Sequence, residues 1–336
     1  MKKRYLLCIL LAALFMGASP LEDSIDAIYP NEVGDIMVLM YHGVESKKSG
    51  LDYQTTVAEF KRDLKDLYER GYRLISLHDL INNNISTKAG YTPVVITFDD
   101  AESSAFSFTM ENGELVPKED CAVDILNKFY KEHPDFGRTA VFYINGKGRR
   151  AFHGEGTLTE CLEYLVNHGY EIGNHTYSHA FLHKLDPQAI QSEMAQLEKF
   201  IQEHLPGYKM ESMSYPYGSI PSESNLPFVL EGESDGVSYN YKVALKPAAG
   251  GPAATPSNIL YDVYHIPRVR GTRNSIRDLG WYLDHYDKNP HLRYISDGDP
   301  STISVPTEML EHLNIKNLDS HELNVYQPQE SLEVQR

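Results

Sequence analysis

Short apolar runs alternate with helical segments along most of the chain, and this alternation constrains the fold more than any other feature of the sequence. Residues 36–41 read as a buried strand. A helix is predicted over 57–70: Thr56 and Glu59 form a capping box, Val57, Phe60, Leu64, Leu67 and Tyr68 recur at helical spacing, and Gly71 supplies the stop. The pattern repeats with a strand at 94–98, a helix at 121–130, a strand at 140–144 and a helix at 158–168 closed by Gly169. A strand at 170–173 leads to a helix opened by Asp186-Pro187, with Ile190, Met194, Leu197 and Ile201 on one face. Later strands are predicted at 213–215 and 259–269, and Asn274 is the predicted cap of a helix bearing Ile276, Leu279 and Leu283. Strands joined by helical crossovers pair in parallel, so the expected fold is α/β, with a βα barrel favoured over an open sheet.

Chemistry-bearing residues gather where the predicted strands end. Thr97-Phe98-Asp99-Asp100 places two adjacent carboxylates after an apolar strand, where mutual repulsion calls for a compensating cation. His175-Thr176-Tyr177-Ser178-His179 follows another strand, and two imidazoles four residues apart can meet one ion. Two histidines and one carboxylate, with a position left for water, form a catalytic zinc-type set, and the second aspartate stays free. In a parallel barrel these strand ends converge on one face. Ser214-Tyr215-Pro216-Tyr217-Gly218 follows a further strand. Its loop offers backbone N–H groups for an oxyanion, and Tyr217 is a candidate sugar-contacting residue. His42 ends the first strand and is expected to face the same pocket. Adjacent aspartates are too close for a glycosidase, whose paired carboxyls stand about 5–9.5 Å apart.

Together these motifs resemble the polysaccharide deacetylase family, carbohydrate esterase family four, over residues 36–285. The resemblance implies a distorted, incomplete (β/α) barrel and assigns Asp99 as catalytic base and Asp100, His175 and His179 as metal ligands. The ion would be Zn2+ by default, with Co2+ or Ni2+ as alternatives. Two departures stand out. The family's third motif begins with an arginine that orients the base, whereas Ser214 stands here, so Arg268 at the end of a late strand is the candidate partner of Asp99. The family's late Leu-x-His motif matches only Leu283-Asp284-His285, inside a predicted helix, so His285 ranks below His42 as general acid, and protonated Asp99 is the alternative. Asn174 and Tyr143 are candidate supporting residues. The implied activity is metal-dependent removal of N-acetyl groups from an N-acetylglucosamine-containing extracellular or cell-wall polysaccharide. The alternatives are an O-acetyl ester deacetylase on the same scaffold and a catalytically weak carbohydrate-binding surface protein.

Charge and the amino terminus set the surroundings. With 31 basic and 47 acidic side chains the formal net charge is −16, which argues against nucleic acid as a partner. Lys2, Lys3 and Arg4 precede an apolar run and then small residues, the layout of a secretory signal over residues 1–19. The protein is therefore expected to be secreted or at the cell surface, with membrane association only through that segment. Residues 20–35 read as an irregular linker, 36–288 as the catalytic domain with an insertion at about 219–258, and 289–336 as a C-terminal extension whose last 20 residues form a loose tail. After signal removal Cys121 and Cys161 remain as a candidate pair.

Overall fold

The computed structural model describes residues 29–48, 50, 53–147, 151–248, 250–318 and 320–328. The expected signal at 1–19 lies outside them, and among the described residues no helix is long and apolar enough to cross a membrane. Eight strands make one parallel sheet: β1 (Met37–Tyr41), β2 (Tyr72–Leu74), β3 (Thr92–Phe98), β4 (Val141–Ile144), β5 (Glu171–Asn174), β6 (Ser212–Ser214), β7 (Val243–Ala248) and β8 (Ile266–Arg270). Seven of them close a ring in the order β1-β8-β7-β6-β5-β4-β3, and β3 returns to β1. β2 pairs with the start of β3, Tyr72 opposite Thr92, whereas β4 pairs with its end, Thr97 opposite Val141. The eighth strand is thus wedged into a seam of a seven-stranded ring, which is the distorted, incomplete (β/α) barrel expected from the sequence.

The strands read as continuous apolar runs because both faces are covered. Met37, Leu39, Val94 and Ile96 pack in the layer that also holds the helix side chains Phe60, Leu64 and Leu162. Val38, Val95, Val141 and Leu245 belong to a second cluster that fills the barrel. The surrounding helices are α1 (Val57–Glu69), α2 (Ala122–Glu132), α3 (Leu158–Asn167), α4 (Pro187–His204) and α5 (Leu279–Lys288). At α1 the Thr56 hydroxyl accepts the Glu59 N–H at 3.2 Å while Glu59 accepts the Thr56 N–H at 3.1 Å. Thr157 and Glu160 repeat this capping box at α3, and the Asp186 carboxylate accepts the Ala189 N–H ahead of Pro187 at α4.

Several expectations need correction. The stretch 219–258 is an excursion only in part: a hairpin, Glu231–Ser234 with Val237–Asn240, leads into the barrel strand β7. Lys246 and Pro247 break the apolar run there and hid it. The strand expected at 259–269 starts only at Ile266. Asp278, not Asn274, precedes α5, so Ile276 lies outside the helix and is exposed. Residues 29–35 are tied to the C-terminal extension, where buried Glu32 accepts the Ser304 N–H at 2.8 Å and the Tyr294 hydroxyl at 2.9 Å. Within the segment expected to be a loose tail, Glu322–Tyr326 forms a strand parallel to Thr302–Pro306. Cys121 and Cys161 are both buried and are not joined in a disulfide.

Candidate active site

Alternation along the strands stacks polar groups above the apolar barrel filling. Thr97 and Asp99, two apart, share one face of β3, as Arg268 and Arg270 share one face of β8. Tyr143 lies across the interior, its hydroxyl 2.9 Å from the Ser212 hydroxyl. It fits because residue 173 is glycine, where a Cβ would stand 2.3 Å from the Tyr143 ring. Above Tyr143, Arg268 is wholly buried, with its guanidinium carbon 5.7 Å from the ring centroid.

Arg268 grips Asp99 with both arms: Nη1 donates to Oδ1 and Nη2 to Oδ2, each at 2.8 Å. Its remaining donors reach Thr97 Oγ1 at 3.0 Å and the Lys246 carbonyl at 2.7 Å. Burial alone would raise the Asp99 pKa, but Arg268 first, then His175, outweigh it and hold the carboxyl below its ordinary value. The Asp99 N–H still donates to the Tyr41 carbonyl at 2.9 Å, extending the β1–β3 pairing by one residue. The chain then turns left-handed at Asp100 (φ 69°) and Ala101 (φ 48°). This turn, rather than strand alternation, brings both adjacent carboxyls to one cleft.

Thr176 (φ 59°), His179 (φ 56°) and Tyr217 (φ 55°) are also left-handed. Each costs on the order of 1 kcal/mol relative to an ordinary backbone, a cost met where surrounding structure fixes the loop. At Thr176 the buried Asn174 fixes it: its Oδ1 accepts the Thr176 N–H at 2.7 Å while its amide donates to the Tyr241 hydroxyl at 2.7 Å.

His175 and His179 thereby face Asp100. His175 Nε2, His179 Nε2 and Asp100 Oδ1 stand 3.2, 3.4 and 3.0 Å apart pairwise. His175 Nδ1 lies 2.9 Å from the Ser214 carbonyl, so it carries the proton and leaves Nε2 as a bare electron pair. Electron pairs converging at this spacing fit a divalent cation: arms of about 2.0–2.1 Å in a tetrahedral shell put donors about 3.4 Å apart. These three residues can therefore hold a metal ion. Burial disfavours charge on His175, but Asp99 and Asp100 outweigh it and raise its pKa. Burial is likewise overcome at Asp100, where the neighbouring His175 and His179 imidazoles hold the carboxyl far below its usual range.

The cleft above these groups has a volume of about 280 Å³. His42 lines it, with Nε2 3.9 Å from Asp100 Oδ2 and its ring 4.6 Å from that of Tyr53. Burial pushes the His42 pKa down against the pull of Asp99 and Asp100. Tyr217 closes the outer side: exposed, it meets the His179 ring edge-on at 4.3 Å and stacks on Phe181 at 4.2 Å. His42, Asp99, Asp100, His175, His179, Tyr217 and Arg268 therefore all belong to this cleft or to the clamp beneath it. His285 does not; it stacks on Trp281 along α5. A groove of about 680 Å³ between α4 and the 231–240 hairpin is larger but carries no comparable set of groups.

Sequence reasoning missed Tyr53, Phe181 and Arg270, and saw Ser214 only as a departure. Ser214 replaces an expected arginine with a side chain short enough to admit Arg268, and its hydroxyl lies 2.9 Å from His175 Nδ1 and 3.3 Å from Arg268 Nη2. Arg270 was signalled by its two-residue spacing from Arg268.

Residues 87–227 match the family model described as polysaccharide deacetylase. Over that stretch the chain is similar to polysaccharide deacetylases. The matched stretch holds Asp99, Asp100, His175, His179 and Tyr217, and excludes His42 and Arg268. Two curated relatives bear the family's name. YxkH of Bacillus subtilis, named as a polysaccharide deacetylase, is 26% identical over 188 residues, covering 56% of this chain and 58% of its own. A peptidoglycan-N-acetylglucosamine deacetylase of Bacillus cereus is 29% identical over 138 residues, 41% of this chain. The chain spans 58% and 40% of the lengths of these two deacetylases. The deacetylase PplD of Streptococcus pyogenes, solved with acetate, shares the fold with a TM-score of 0.54 at 18% identity, covering 74% of this chain and 97% of that one.

Proposed function

We propose that the protein is a metal-dependent hydrolase that removes N-acetyl groups from an N-acetylglucosamine-containing polysaccharide, outside the cell if residues 1–19 direct export. The observation that carries this reading is the convergence of Asp100, His175 and His179 on one point beside an Asp99 that Arg268 keeps ionised. A divalent ion held there, Zn2+ by the chemistry of two imidazoles and a carboxylate, supplies Lewis acidity toward the acetyl carbonyl and toward a water. Asp99 is the base that takes the proton from the attacking water, and the clamp from Arg268 keeps it charged and correctly turned. The backbone N–H of Tyr217 is the proposed donor to the oxygen that gains charge. The departing amine requires a proton, and the acids in the cleft are His42 and Asp99 once it has become protonated.

Acetate release from peptidoglycan, chitin oligomers and a poly-N-acetylglucosamine tests the reading. Release is expected from at least one of these with metal present, and its loss with chelator and in Asp99→Asn. Equal release by Asp99→Asn would reject Asp99 as the base. No release from any glycan by folded, metal-loaded protein would reject the activity.

A further inference from the structure

The loop that follows β6 carries one unspent donor. The Tyr215 N–H donates to the Leu245 carbonyl at 3.1 Å, and the Gly218 and Ser219 N–H groups donate to the Tyr215 and Pro216 carbonyls at 3.2 and 2.9 Å. Pro216 has no N–H to give, so the Tyr217 N–H is left without a partner among the described residues. Tyr217 is also left-handed, a backbone that glycine adopts freely and a tyrosine adopts only where its side chain gains contacts.

Those contacts come from the segment after His179. Leu182, wholly buried, anchors the segment, and the residues on either side of it reach the loop. The Phe181 ring lies parallel to that of Tyr217 with centroids 4.2 Å apart, and the His183 N–H donates to the Ser219 hydroxyl at 3.0 Å. The contacting residues are two apart on both segments, so the pair of contacts fixes the loop in rotation as well as in position. A stacked aromatic pair is worth about what a left-handed backbone costs a residue with a side chain. Lys184 Nζ stands over the Phe181 ring at 4.7 Å while Tyr217 covers the other face, so Phe181 offers no face to a sugar. On the far side of the loop Pro247 of β7 stands so close that a Cβ at Gly218 would lie 2.7 Å from its Cγ.

We propose that Phe181 is a positioning residue: its stack on Tyr217 holds the unspent N–H in place for the oxygen that gains charge when the acetyl group is attacked. This rests on the deacetylase reading and assigns the brace of the oxyanion donor to the segment that also presents His179. A donor that meets its acceptor only in the transition state contributes to kcat and not to KM.

The test measures kcat and KM for acetate release from the glycan that wild type deacetylates best among peptidoglycan, chitin oligomers and poly-N-acetylglucosamine. The variants are Phe181→Ala, Phe181→Tyr, Tyr217→Gly and the double variant Phe181→Ala with Tyr217→Gly, each assayed for metal content. Removing an oxyanion donor costs about 100- to 1,000-fold in kcat, so loosening one is expected to cost about tenfold or more in Phe181→Ala, with KM within about twofold. Phe181→Tyr keeps the ring and is expected to keep most of kcat. Tyr217→Gly keeps the N–H and discards its ring, so adding Phe181→Ala to it is expected to cost nothing further. Amide hydrogen exchange at Gly218 and Ser219 gives a readout independent of turnover, and it is expected to be faster in Phe181→Ala and unchanged in Phe181→Tyr. An unchanged kcat in Phe181→Ala, a loss that follows lost metal, or an equal loss in the Tyr217→Gly background would overturn the assignment. Faster exchange in Phe181→Ala, beside a wild type that releases no acetate from any glycan, would sink the deacetylase activity and leave the brace standing. Exchange unchanged by Phe181→Ala would sink the brace whatever the activity.

Discussion

Arg268 on the last strand of the ring and Asp99 after β3 meet through two parallel hydrogen bonds of 2.8 Å, their side chains 0% and 4% exposed. Removing one partner leaves the other charged in a place from which water is shut out. Arg268→Met is expected to lose about 3–5 kcal/mol of stability in denaturant unfolding. Its kcat should fall about 100-fold or more as the base loses its orientation. Combining Arg268→Met with Asp99→Asn is expected to restore part of the stability and none of the activity. A double variant as unstable as Arg268→Met alone would show that the arginine matters through packing, not charge.

The convergence of Asp100, His175 and His179 predicts one tightly bound divalent ion per chain. Elemental analysis of His179→Ala should find that ion lost, with acetate release gone and the far-UV spectrum retained. Chelation should lower Tm and readdition restore it; an ion present at 1,000 times its Kd stabilises by about 4 kcal/mol. A melting temperature indifferent to chelator and to added Zn2+ would show that the three side chains do not hold metal.

Glu198, buried on α4, has its pKa pushed by desolvation from 4.5 to about 7, partly offset by a hydrogen bond with Tyr241. The folded protein therefore binds this proton more tightly than the unfolded chain. Stability tied to the neutral carboxyl is complete below about pH 4.5 and is lost as pH rises through about 7. Glu198→Gln keeps an acceptor for Tyr241 and removes the titration. Its stability relative to wild type is expected to rise between pH 4.5 and 8, by up to about 3 kcal/mol at 1.36 kcal/mol per pKa unit. A difference constant with pH would show that Glu198 is not buried in solution.

Thr56→Ala removes the hydroxyl of the capping box at α1, which bonds to Glu59 and not to a cleft group. A loss of about 1 kcal/mol in urea unfolding is expected, with kcat/KM unchanged. A larger loss would mean that Thr56 carries tertiary contacts as well.

Legibility in the sequence followed how local the determining physics is. Thr56 with Glu59, and Asp186 with Pro187, mark helix starts within four residues, and both starts stand where the pattern put them. The motifs holding Asp99, Asp100, His175 and His179 were readable because each lies in one short segment after an apolar run. β7 was obscured because Lys246 and Pro247 break its run while its neighbours β6 and β8 supply the pairing. The pairing of Glu322–Tyr326 with Thr302–Pro306, and the hold of Glu32 on Ser304, rest on partners far apart in sequence that no local pattern announces. Ser214 looked like a loss because the arginine that compensates for it lies 54 positions later, on another strand.

The ring closes by pairing β1 with β8, the first strand with the last. During synthesis Asp100, His175, His179 and Asp99 emerge well before Arg268, so every partial product ending ahead of β8 carries the proposed base without its keeper. Shortened chains should accordingly be inert even when they fold locally, and the onset of hydrolysis would report that the final barrel stave has docked.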